Sequence, residues 1–82
     1  MKLKYFAWLK NITNTDSEII NDTTIYDVNS LKTFLCDKYP KLDEYITKDS
    51  IIRIAINYEY TSINNKLSHN DEIALFPPVS GG

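Results

Sequence analysis

Asp71-Glu72-Ile73-Ala74-Leu75-Phe76-Pro77-Pro78-Val79-Ser80-Gly81-Gly82 is the most informative stretch of this 82-residue chain. Its first half alternates. From Glu72 to Phe76 the pattern predicts a strand, with Ile73 and Leu75 inward and Ala74 and Phe76 outward. Pro77 and Pro78 have fixed φ and no N–H, so they stop that strand. Val79 and Ser80 then lead into two residues without side chains. A Gly-Gly tip has the thinnest cross-section a polypeptide allows, so it threads a channel that any Cβ would block. The sequence has only two glycines and three prolines, and both glycines and two of the prolines fall here. That concentration favours a functional arm, a free α-carboxylate on a narrow tip behind a stiff collar, over an ordinary frayed end.

Working outward, residues 3–9 alternate too. Leu3, Tyr5, Ala7 and Leu9 face one way; Lys2, Lys4, Phe6 and Trp8 face the other, which predicts a half-buried strand. The lysines mark the second set as the outer face, leaving Phe6 and Trp8 where water is expected. Asn11 to Asp16 reads as a polar turn. Ser17 to Asn21, with Ile19 and Ile20, reads as a second strand closing a hairpin. Asp27 is a candidate N-cap, its carboxylate able to accept from free backbone N–H groups of the next turn. Val28, Leu31, Leu35 and Tyr39 fall on one face of a helix that Pro40 ends. Between Lys41 and Ser50, Leu42, Tyr45 and Ile46 suggest a short helical turn plugging the core. Ile52, Ile54 and Ile56 alternate with Arg53, Ala55 and Asn57 as a third strand. Tyr58 to Ile63 predicts a tight turn with a short strand, and Lys66 to Asn70 a polar loop. The pattern alone gives one α+β domain with a mixed sheet, without repeats or linkers.

Composition bounds the function. The length suits one domain with a small core. Nine basic and eleven acidic residues leave a net charge of −2, which suggests neither nucleic-acid binding nor disorder. No apolar run approaches membrane-spanning length, and Met1-Lys2-Leu3-Lys4 passes into a strand pattern rather than a signal peptide. The single Cys36 excludes an internal disulfide and a cysteine-clustered metal site, and a reducing cytoplasm fits best.

The stretch from Asp71 to Gly82 resembles the tail of the MoaD/ThiS group of ubiquitin-like sulfur carriers, and within it the small subunits of molybdopterin synthases. Weaker likenesses at Phe6-Ala7, Tyr26-Asp27-Val28 and Ala55-Ile56-Asn57 follow in the family's order. The Phe-Pro-Pro-Val-Ser-Gly-Gly ending is a specific signal, whereas Gly-Gly alone is weak. The family usually has Gly-Asp-Glu before its last strand. This chain has Asn70-Asp71-Glu72, and Asn is the next-best residue for a left-handed turn. The resemblance implies a β-grasp (ubiquitin-like) fold, consistent with hairpin, helix, then further strands. Its first and last strands would lie parallel at the sheet centre, in one domain over 1–82 with a flexible tail over 77–82.

The resemblance also implies roles. Gly82 would carry sulfur, Gly81 would permit entry into a partner's active site, and Pro77 and Pro78 would aim the arm. Val79 and Ser80 would enter with the tip. Phe6 and Phe76 would dock on the partner, together with Tyr60, which replaces a more usual aliphatic residue. A ubiquitin-activating-type adenylyltransferase would use ATP to adenylate Gly82, and a sulfur donor would convert it to a thiocarboxylate. The large subunit of molybdopterin synthase, in a heterotetramer, would then take that sulfur into the pterin. No cofactor or metal would be bound by the chain itself, and membranes and nucleic acids would not be partners.

Read on their own, the remaining residues carry little chemistry. With the first and last strands adjacent, Phe6 and Phe76 would sit side by side on the surface, near Trp8 and Tyr60. A contiguous aromatic patch marks a contact surface. The competing reading is that a loop or the segment around Tyr45 covers it. Cys36 sits at the edge of the helix's apolar face as a small hydrophobe. The only histidine, His69, lies in a distant loop, so no nucleophile–base pair forms. Asp37, Asp43, Glu44, Asp49, Asp71 and Glu72 show no metal-loop spacing. Glu18, Asp71 and Glu72 read as solvated or paired at the surface. No phosphate loop occurs, so nucleotide chemistry must come from another protein. The alternatives are a sulfur carrier for thiazole synthesis, whose tail usually lacks Phe-Pro-Pro, and a protein modifier joined to lysines through Gly82. An independent enzyme fits least.

Overall fold

The computed structural model describes residues 1–49, 51–61 and 63–78. The chain runs β1 (Lys2–Tyr5), α1 (Leu9–Thr13), β2 (Ser17–Ile19), α2 (Val28–Lys38), β3 (Arg53–Ile56), β4 (Glu59–Thr61) and β5 (Glu72–Phe76). Hydrogen bonding orders the sheet β2-β1-β5-β3-β4, with β1 and β5 parallel and the other neighbours antiparallel. This is the expected β-grasp arrangement. A parallel central pair needs a crossover between its strands, and α2 lies within it. Leu3, Tyr5, Ile73 and Leu75 from the central strands share one buried cluster with Val28, Leu31 and Leu35 of α2. Leu42 and Ile46, on a 3-10 turn and a π-helical turn after α2, complete that cluster as expected.

Asp27 caps α2 as its position suggested. Its carboxylate accepts from the Ser30 N–H at 2.8 Å, and the Ser30 hydroxyl accepts from the Asp27 N–H at 3.0 Å. Such reciprocal caps are worth about 1 kcal/mol. The helix stops at Lys38, and Pro40 opens the following 3-10 turn.

The first strand is shorter than its alternation implied. It ends at Tyr5, because Ala7 takes a left-handed φ of 53° and the Leu9 N–H donates to the Phe6 carbonyl. Leu9 remains fully buried, but as the start of α1, and Ala7 is exposed. Leu9, Ile12 and Thr13 have the three-and-four spacing of a helix. That signal lay inside the stretch read as strand and polar turn. The second strand likewise ends at Ile19, which is exposed, while Ile20 turns inward. Ile25 and Leu67, both in loops, also join the core. Asn70 does not take a left-handed φ, contrary to the turn expected there. The Asp71 carboxylate closes that loop instead, accepting from the Ser68 N–H at 2.8 Å.

Glu18 is paired more deeply than expected. Its carboxylate accepts from the Tyr5 hydroxyl at 2.6 Å and from Tyr39 and Lys38 at 2.5 Å each. It therefore ties the hairpin to the end of α2. Burial pushes the Glu18 carboxyl up, but the hydrogen bonds from Lys38, Tyr39 and Tyr5 outweigh it and hold the group below its usual value. Burial, reinforced by Glu18, pushes the Tyr5 phenol up. A carboxyl depressed in the folded state adds stability above its unfolded value near about 4.3, and that contribution is lost as pH falls through the folded value. Glu18→Gln should therefore cost about 2 kcal/mol at neutral pH, in the range for hydrogen bonds to a charged group. Denaturant melts at pH 7 and pH 3 test this, and the gap between wild type and variant should shrink in acid.

Candidate functional site

The register of the sheet lays its outer face out in rows. Lys4 pairs with Ala74, Ala74 with Ala55, and Ala55 with Tyr60. One row further along, Phe76 pairs with Arg53, and the Phe6 N–H donates to the Leu75 carbonyl, bringing Phe6 beside Phe76. The Phe6 and Phe76 rings stack at 4.6 Å and 11°, and Tyr60 lies 5.6 Å from Phe76. Phe6 is 39% exposed and Tyr60 68%, while Phe76 between them is half-buried. Three of the four aromatic residues expected together on this face thus form one patch.

Trp8 does not belong to it. The left-handed turn at Ala7 breaks the period of two, and Trp8 packs edge-on against Tyr45 with centroids 4.9 Å apart. The segment around Tyr45 therefore covers part of Trp8, which stays 38% exposed, and the Phe6–Phe76–Tyr60 patch is a separate surface.

The two alanines of the middle row open a hollow of about 170 Å³ beside the aromatic rings. The Lys4–Glu72 ion pair, at 3.6 Å, also lines it, as does Tyr58. Asn57 and Tyr58 both take left-handed φ, 50° and 72°, as a two-residue hairpin turn requires. Asn57 suits this, and its side chain donates to Asp71 and accepts from the Glu72 N–H. The hollow and its alanine floor were not singled out from sequence. Ala74 was placed on the outer face and Ala55 on the face opposite Ile54, but their adjacency depends on register.

Where β5 ends, Pro77 is buried and Pro78 exposed. The first proline of the collar is thus part of the folded body, and Pro78 lines a groove with Lys32, Ile52 and Ile63. Val79, Ser80, Gly81 and Gly82, singled out above, lie outside the described residues. Cys36 is half-buried, and burial together with the nearby Asp43 carboxylate pushes its thiol up, away from the reactive thiolate. His69 is exposed in its loop. Among the described residues no cluster of three metal-binding side chains occurs, and no helix is long and apolar enough to cross a membrane.

The ThiS family model matches residues 3–82. The chain belongs to the ThiS family. Among curated relatives of this ThiS-family chain, the molybdopterin synthase sulfur carrier subunit of Dictyostelium discoideum is 33% identical, covering 99% of this chain and 94% of that one. The subunit of the same name from Arabidopsis thaliana is 42% identical over a shorter match, 55% of this chain and 44% of that protein. Among solved structures, a putative molybdopterin converting factor subunit 1 from Pyrococcus furiosus is 30% identical with a TM-score of 0.80, covering 95% of each chain. Small archaeal modifier protein 1 from Methanosarcina acetivorans is also 30% identical, with a TM-score of 0.81, covering 99% of this chain and 94% of that one. The β-grasp fold is thus shared with a putative molybdopterin converting factor subunit and with a small archaeal modifier protein.

Proposed function

We propose that this chain is the sulfur carrier subunit of a molybdopterin synthase and that its reagent is the carboxylate of Gly82. The observation that carries this reading is the full-length likeness to a molybdopterin synthase sulfur carrier subunit. A carboxylate is a poor electrophile, because attack adds charge to an anion. Adenylation with ATP, releasing pyrophosphate, removes that charge and supplies AMP as leaving group. The activating enzyme holds the nucleotide, since this chain has no phosphate loop. A sulfur donor then displaces AMP, leaving a thiocarboxylate at Gly82. The thiocarboxylate is a strong nucleophile at neutral pH; its sulfur attacks the pterin precursor in the large subunit, and water then cleaves the acyl C–S bond, leaving the sulfur on the pterin and returning Gly82 to a carboxylate. The chain itself supplies no catalytic group. Gly81 lets the tip enter, Pro78 directs the arm, and Phe6, Phe76 and Tyr60 dock. The setting is the cytoplasm.

Genetic loss of the chain should abolish molybdenum-enzyme activity without creating a thiamine requirement. A thiamine requirement with intact molybdenum enzymes would move the protein to the thiazole branch. A second reading, as a protein modifier, is favoured by the likeness to small archaeal modifier protein 1. Intact-mass analysis of the cellular protein separates the two. The carrier shows one oxygen exchanged for sulfur, and the modifier shows Gly82 joined to lysines of other proteins.

A further inference from the structure

Arg53 stands at one end of the aromatic row, directly opposite Phe76 on the neighbouring strand. It is exposed. Among the described residues the ion pairs are Lys4–Glu72 and Lys38–Glu18, so Lys4 is neutralised while Lys2 and Arg53 are not, and of these two only Arg53 lies opposite Phe76. Arg53 also lines the groove that holds Pro78, so a partner that covers Phe76 and follows the chain to Pro78 meets this guanidinium. Desolvating a charge without an acceptor is costly, and a carboxylate meets the guanidinium with two parallel hydrogen bonds. The second feature is the hollow of about 170 Å³ over Ala55 and Ala74. An apolar cavity of roughly 150 Å³ is large enough for benzene. This one takes a single ring or branched aliphatic side chain between Phe6, Phe76 and Tyr60.

We infer that the docking partner presents a carboxylate to Arg53 and, beside it, one large apolar side chain to the hollow. The charge pattern makes this face selective, because a basic partner surface meets Arg53, a cation with no ion pair among the described residues, next to the point where β5 gives way to Pro77. The inference rests on the docking reading above and specifies what the partner must carry.

The test uses the full chain and the molybdopterin synthase large subunit from the same source. Affinity is measured at low and high salt for wild type, Arg53→Glu, Arg53→Gln, Ala55→Leu and Phe76→Arg, with melting temperatures alongside. Arg53→Glu should lower affinity at least tenfold, and Arg53→Gln should lower it less and weaken its salt dependence. Ala55→Leu fills the hollow and should also cost at least tenfold; Ala74→Leu replaces it if that variant melts early. In a double-mutant cycle, neutralising one acidic residue of the partner should have no further effect in Arg53→Gln. Affinity within twofold of wild type for Arg53→Glu or for the filled hollow overturns the inference. If Phe76→Arg alone loses binding, the docking reading stands without it. If Phe76→Arg also binds normally, the docking reading itself fails.

Discussion

A chain lacking Gly82 should accept no sulfur. With an activating enzyme, ATP and a sulfur source, the wild-type chain should exchange one oxygen of Gly82 for sulfur. Deleting Gly82, or extending it with a C-terminal tag, should reduce that exchange to background. The fold should be untouched, because among the described residues the buried positions end at Pro77. The two alterations fail for different reasons. Deletion leaves a Gly81 carboxylate one residue short of the active site, whereas a tag leaves no carboxylate at that point. Gly81→Val should block transfer even when the thiocarboxylate is installed chemically, since a β-branched side chain widens the tip and restricts its backbone. Intact mass before and after mixing with the large subunit and precursor reads both steps. A tagged chain that still gains sulfur would sink the mechanism.

Phe76→Arg should cost at least about 2 kcal/mol of affinity for the large subunit, about thirtyfold, as central aromatic anchors do. From alternation alone Phe76 is an outward residue whose loss leaves stability unchanged. The structure alters that expectation, because Phe76 is half-buried between Phe6 and Tyr60. Aromatic pairs contribute about 0.5–1.5 kcal/mol beyond area, so the variant should also lose about 1 kcal/mol of folding stability. It should remain folded, since Ile73 and Leu75 on the opposite face of β5 hold the core. Calorimetry of binding and thermal melts separate the two losses. Full-strength binding with the expected fall in melting temperature would show that the partner sits elsewhere.

The helix α2 and strand β5 were legible because each follows a single rule along its length. Asp27 caps one end of α2 and Pro40 follows the other, and between them apolar residues recur at helical steps. In β5, strict alternation ends at two prolines. The Gly-Gly tip behind a proline collar is likewise a local property of the chain, and the chemistry proposed for it comes from the family resemblance. The start of the chain misled because two periods overlap there. Leu9 satisfies both the alternation from Leu3 and the helical spacing to Ile12 and Thr13, and only the left-handed turn at Ala7 chooses between them. That choice sends Trp8 to Tyr45 and leaves Phe6 with Phe76. What tertiary structure alone decided is lateral. Which outward residues become neighbours depends on the register between strands far apart in sequence, and no local pattern encodes it. Arg53 and Phe76, and Ala55 and Ala74, become neighbours only once β3 and β5 are paired.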